Sequence, residues 1–164
     1  MSDTPSSPDA NPTGTKTAVP AMEGWFAPDA DPPHLIGTRC AGSGTYFFPP
    51  ERTMSRVPGF ADSPLEEVAL SRTGTLWSYT NAGYQPPEPY IARTDPFEPF
   101  AIAAVELAEE QMVVLGQVVA DVDVADLEVG MEMELVADVL YEDDEHRYMI
   151  WKWKPTGTSG RSER

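Results

Sequence analysis

From Ser71 to Pro155 the chain is written as strand-like runs parted by turn residues, with no stretch of helical period, and this limits it to a mainly β fold. The clearest run is Gly74 to Thr80, which sets Thr75, Trp77 and Tyr79 on one face and Leu76, Ser78 and Thr80 on the other, all but Ser78 and Leu76 being β-branched or aromatic. Phe100 to Leu107 and Met112 to Val119 form a hairpin pair through Ala108 to Gln111, and since both runs are apolar on both faces they are expected to be well buried. Met131 to Glu142 alternates cleanly. An acidic turn, Glu142 to His146, then leads into Arg147 to Lys154, with Met149, Trp151 and Trp153 on one face. Five long strands without a helix predict a small closed barrel, because closure removes the exposed edges of a sheet.

The chain ahead of the barrel is looser. Residues 1–20 are mostly Ser, Thr, Pro, Asp and Asn and predict a disordered tail, as do residues 156–164. Residues 21–70 hold one small hairpin, Leu35 to Arg39 paired with Thr45 to Phe48 through the glycines at 42 and 44, and Pro58-Gly59 marks a turn. Within the barrel region, Tyr84 to Tyr90 carries three prolines, which cannot donate to a ladder, and predicts a protruding loop of polyproline character.

Charge narrows the partners. A formal net charge of -16 argues against DNA, RNA or an anionic membrane, since affinity for each rests largely on Lys and Arg against phosphate. A single cysteine, Cys40, rules out an intramolecular disulfide and favours a reducing cytoplasm. The first twenty residues lack the basic start and apolar run of a secretory signal, and no apolar run approaches about 18 residues, so neither export nor membrane spanning is expected.

Few residues carry chemistry. Asp121 to Asp126 echoes a calcium loop, yet Asp126 stands where glycine is needed and Ala125 replaces a ligand, so a solvated loop is expected. The acidic turn around His146 reads as an exposed tip. Gly42-Ser43-Gly44 lacks the lysine of a phosphate loop, no Gly-x-Ser-x-Gly elbow occurs, and His34 and His146 fit no nucleophilic triad. Trp151-Lys152-Trp153-Lys154 invites a single-stranded nucleic-acid reading, but alternation puts both indoles on one face, where they are expected to fill the barrel. Arg39, Arg52 and Arg56 cluster in an otherwise acidic chain.

Taken in order, Leu35-Ile36-Gly37-Thr38-Arg39-Cys40, Phe48-Pro49-Pro50-Glu51-Arg52, Gly74 to Thr80, Pro99 to Ala103, Gly130-Met131 and Trp151 to Pro155 resemble the zinc-ribbon plus OB-fold proteins of domain-of-unknown-function family 35, over roughly residues 21–155. The resemblance implies a small rubredoxin-like zinc ribbon ahead of a five-stranded OB-fold barrel. It also implies an accessory role beside thiolase-like, aldolase or hydratase subunits acting on acyl-CoA thioesters, with lipid or steroid side-chain breakdown as the setting of similar members.

The family's ribbon has four cysteines, and the corresponding positions here are taken to be Cys40, Ser43, Ser55 and Phe60. Serine is a poor zinc ligand and phenylalanine is none, so no zinc and no other cofactor of its own is expected, with Phe47, Phe48 and Phe60 packing the metal-free ribbon. Thiolase chemistry needs a cysteine nucleophile with histidine bases, which this chain does not supply, so the expected role is non-catalytic. On this reading Arg39, Arg52 and Arg56 would meet CoA phosphates or acidic partner groups, acyl-CoA being shared with the partner, and Trp77, Tyr84, Tyr90, Phe47 and Phe48 would face a partner, Trp77 also serving the barrel. The competing readings are a single-stranded nucleic-acid-binding module and a free-standing acyl-CoA-binding protein.

Overall fold

The computed structural model of the chain describes residues 15–92 and 94–157. Its elements are almost all strands: β1 (Thr17–Pro20), β2 (Phe26–Ala27), β3 (His34–Cys40), β4 (Tyr46–Phe47), β5 (Leu65–Ala69), β6 (Thr73–Ala82), β7 (Phe100–Leu107), β8 (Met112–Val118), β9 (Glu132–Glu142) and β10 (His146–Pro155), with one 3-10 turn at Val124–Asp126.

Strands β6, β7, β8, β10 and β9 follow one another around a barrel, and β9 closes back onto β6 through Thr73–Glu134, Gly74–Met133 and Thr75–Glu132. The β8–β10 pair is parallel, with Lys152 opposite Gln117 and Trp153 opposite Val118, while the other barrel pairs are antiparallel. This is the strand order of an OB fold, as expected. Inside it, Leu76, Val105, Leu107, Met133, Leu135 and Trp153 are fully buried. Gly116 makes room for the two indoles, since a Cβ there would lie 2.9 Å from Trp151 and Trp153 ring atoms.

The segment ahead of the barrel is a small sheet centred on β3, which pairs with β5 along Ile36 to Cys40 and with β2 and β4 in tandem. Its apolar side joins the barrel core. Phe26, Leu35 and Leu70 belong to the same buried cluster as Leu76, Trp151 and Trp153. Arg72 fastens the two parts: Nε donates to the Pro33 carbonyl at 2.8 Å and Nη2 to the Leu135 carbonyl at 3.1 Å. Glu110 does the same for the linker, its Oε1 accepting from the Ser71 backbone N–H at 2.7 Å and from the Ser71 hydroxyl at 2.8 Å.

The structure departs from the sequence reading at the expected N-terminal tail. Thr17–Pro20 lies within the stretch read as a tail, yet it pairs in parallel with His146 to Met149, and Lys16 reaches Glu142 at 2.8 Å. Backbone pairing to an open flank of β10 orders these residues without the large apolar side chains that a composition argument looks for. Residues 1–14 and 158–164 lie outside the described residues, while Thr156 donates to the Glu132 side chain at 2.7 Å.

A second departure concerns burial. Trp77 follows the buried Leu76 and points outward, 61% exposed, by plain strand alternation. The ladder between β6 and β7 shifts between Leu76 and Ser78, and this extra residue keeps Ser78 on the outer face as well. Nor is β8 buried on both faces, for Val113 and Leu115 are exposed at 43% and 62%, whereas in β7 only Glu106 is exposed.

Candidate functional site

The ribbon sheet ends in a cluster built around Cys40. Cys40 closes β3, is fully buried, and is approached by the hydroxyls of Ser43, Ser55 and Ser63, all hydrogen-bonded to its thiol. Local turns hold each serine. Ser43 Oγ accepts from the Thr45 N–H at 3.3 Å, Ser55 Oγ from the Val57 N–H at 3.3 Å, and Ser63 Oγ from the Gly42 N–H at 2.7 Å. The serine hydroxyls, Ser43 first, pull the thiol from its ordinary 9.0 down to about 6 against the opposing effect of burial.

This corrects the expected ligand set. Phe60 is exposed and its ring lies over Gly42, whereas Ser63, three residues further on, takes the fourth place. One thiol and three hydroxyls do not make a tetrahedral zinc site. Among the described residues no group of three or more His, Cys, Asp or Glu side chains is placed to hold a metal.

Each of the three arginines is engaged by neighbouring groups of the ribbon. Arg52 bonds Glu67 at 3.0 Å and the Gly24 carbonyl at 3.2 Å, Arg56 meets Glu51 at 2.6 Å, and the Arg39 guanidinium lies 5.8 Å from the Tyr46 ring centre. Arg56 is the main cause of the lowered Glu51 pKa. These contacts brace the ribbon, and none of the three arginines lines the main cavity.

That cavity, of about 430 Å³, opens beside the loop after β6 and is lined by Tyr90, Phe97, Phe100, Gln117, Leu140 and Lys152. Lys152 is only 2% exposed and its Nζ is 2.7 Å from Asp138 Oδ2. Asp121, Asp123 and Asp126 also line it, a surrounding that disfavours the phosphates of CoA. Asp123 and Asp126 are engaged in a reciprocal cap of the 3-10 turn, each accepting a backbone N–H.

The aromatic residues divide between two duties. Phe48 packs edge-on against Trp25 and Trp151, each at 5.8 Å, and so belongs to the junction of ribbon and barrel, with Phe47 half-buried beside it. Tyr90 is half-buried on the cavity wall, and Tyr84 stands out of its loop at 77% exposure. Trp151 and Trp153 are buried, with Trp151 Nε1 donating to the Leu115 carbonyl at 2.9 Å, so the Trp-Lys-Trp-Lys run offers no free indole face on which bases could stack.

What remains uncovered is an apolar strip on the barrel's outside. Register places Ser78, Ala104 and Leu115 in one row across β6, β7 and β8, and Thr75, Glu106 and Val113 in the next. Trp77 bulges between these rows, so a tryptophan, a leucine and a valine stand exposed within one sheet face. Ser78, Ala104, Thr75 and Glu106 stand among these three side chains, so the face is mixed, with large apolar groups open to a partner. No sequence rule singled out Val113 and Leu115; only the bulge and the pairing register reveal them.

Comparison with known proteins agrees with this architecture. A family model described as the C-terminal OB-fold domain of ChsH2 matches residues 67–138. A "DUF35 domain-containing scaffold protein" from Methanocaldococcus jannaschii is 31% identical over 123 residues, covering 73% of this chain and 79% of that protein. Among solved structures, a chain of the "Ltp2-ChsH2(DUF35) aldolase" superposes with a TM-score of 0.52 and 27% identity, covering 74% of this chain and 84% of that one.

Proposed function

Because the chain belongs to domain-of-unknown-function family 35, we propose that it is a non-catalytic scaffold subunit, docked on a thiolase-like aldolase or related acyl-CoA enzyme in the cytoplasm. The observation that carries the reading is the exposed strip of Trp77, Val113 and Leu115 on the barrel. An apolar sheet face with a central aromatic suits a stable protein partner, in which such a residue acts as the anchor. The acidic charge and the buried indoles disfavour single-stranded nucleic acid, and the carboxylates lining the cavity disfavour a free-standing CoA binder.

The reaction chemistry belongs to the partner on this reading. Cys40, the one cysteine, is enclosed by hydroxyls with no histidine among its hydrogen-bond partners, so it has no general base of the kind thiolase chemistry uses. The acyl group handled would be set by that partner, with lipid or steroid side chains the class suggested by similar proteins. Co-expression of the tagged chain with an Ltp2-type thiolase-like subunit tests the proposal. A stoichiometric complex with aldol-cleaving activity that neither subunit shows alone is expected; acyl-CoA turnover by the isolated chain, or failure to co-purify, would count against it.

A further inference from the structure

We propose that Cys40, Ser43, Ser55 and Ser63 form an intact four-ligand metal position in which hydrogen bonds have taken the place of the metal, so that this ribbon folds without zinc and three cysteines would restore the site. The four side chains come from separate places: the end of β3, the turn after it, and two points of the long loop before β5. Their convergence on one buried point is not needed to satisfy any of them singly, since serine hydroxyls are content in water.

The backbone around them is arranged for ligands. Each serine oxygen already accepts one backbone N–H, the role that N–H groups play toward thiolate ligands, and the Ser43 hydroxyl also donates to the Thr45 hydroxyl at 3.2 Å. In a tetrahedral zinc site with Zn–S near 2.3 Å the sulfurs lie roughly 3.7 Å apart. A hydroxyl in hydrogen-bond contact with a sulfur stands nearly that far from it, so each of the three serines is within reach of the Cys40 corner of such a set. Ser55 and Cys40 are themselves buried, which fixes two corners of the set.

The inference stands independently of which partner the chain binds. The test is metal loading of the full-length chain. The native protein purified from zinc-supplemented culture is expected to carry no stoichiometric zinc and to melt at the same temperature with and without EDTA. The variant Ser43→Cys/Ser55→Cys/Ser63→Cys is expected to bind one Co²⁺ per chain with the visible bands of tetrahedral thiolate cobalt, and its melting temperature should fall on adding EDTA. Moving the last cysteine to Phe60, in Ser43→Cys/Ser55→Cys/Phe60→Cys, should weaken Co²⁺ binding at least tenfold. Should the triple variant not fold, Ser43→Cys/Ser63→Cys still gathers three thiols and should give the same bands at lower affinity. Stoichiometric zinc in the native chain, or no cobalt bands in either Ser63→Cys variant, would overturn the proposal.

Discussion

Phe48 meets Trp151 edge to face, ring centroids 5.8 Å apart and planes at 81°, and through this contact the ribbon is seated on the barrel. Trp151 also receives Phe26 at 6.1 Å, so one indole of the last strand carries two aromatics from the N-terminal sheet. Ribbon and barrel therefore share a core and should melt together.

Phe48→Ala removes the ring between Trp25 and Trp151. A half-buried phenylalanine with two edge-on aromatic contacts is worth about 2–3 kcal/mol. Calorimetry should show one transition lowered by roughly 5–10 °C. Two separated transitions would show that the parts are independent.

The Lys152–Asp138 pair predicts an asymmetry. Lys152→Ala leaves a hole beside the cavity where the buried side chain packed, and is expected to cost about 3 kcal/mol. Lys152→Met keeps the volume and removes the need to desolvate an ammonium group, so it should lie within about 1 kcal/mol of the native chain. Denaturant midpoints of the two variants decide it, equal losses being the contrary result.

Cys40 predicts a pH dependence. Its thiol is lowered from 9.0 to about 6 by the serine hydroxyls, so the folded chain releases a proton that the unfolded chain keeps between these values. Stability from this group is therefore full above pH 9 and is lost as pH falls through about 6. Thiolate absorbance near 240 nm should titrate near pH 6 in the native chain, and higher in Ser63→Ala. An unshifted titration in that variant would mean that the hydroxyl is not a donor to the sulfur.

The acidic hairpin tip should tolerate substitution. Asp143 caps the turn by accepting the His146 and Glu145 N–H groups and the Tyr148 hydroxyl, which lowers its pKa and raises that of Tyr148. Asp143→Ala removes a turn cap on an exposed tip and should cost about 1 kcal/mol, read from the melting curve, with no change in partner binding.

Much of the barrel was legible because strand alternation and turn residues are local properties: Leu135, Met133, Trp151 and Trp153 fall on the core side as their spacing implies. What the sequence concealed depends on pairing. Ser78 joins Trp77 on the outer face because of one extra residue in β6, and Leu115 is exposed because no described residue covers that row. Lys152 alternates outward yet is buried beside the cavity and held by Asp138, and Thr17–Pro20 is ordered by β10 rather than by its own side chains. Ser63 was missed for Phe60 because only the folded loop brings it beside Cys40 and Gly42, and no spacing within the chain announces that.

The central claim rests on the strip of Trp77 and Leu115, and its most direct test is a calorimetric titration of the thiolase-like subunit with the native chain and with Trp77→Ala/Leu115→Ala. Both residues are exposed, so the double variant should keep its melting temperature, with a stability change within about 0.5 kcal/mol per site. Loss of a central aromatic anchor should weaken binding roughly 30-fold or more. Undiminished affinity in a variant that melts like the native chain would contradict the account and place the partner elsewhere on the surface.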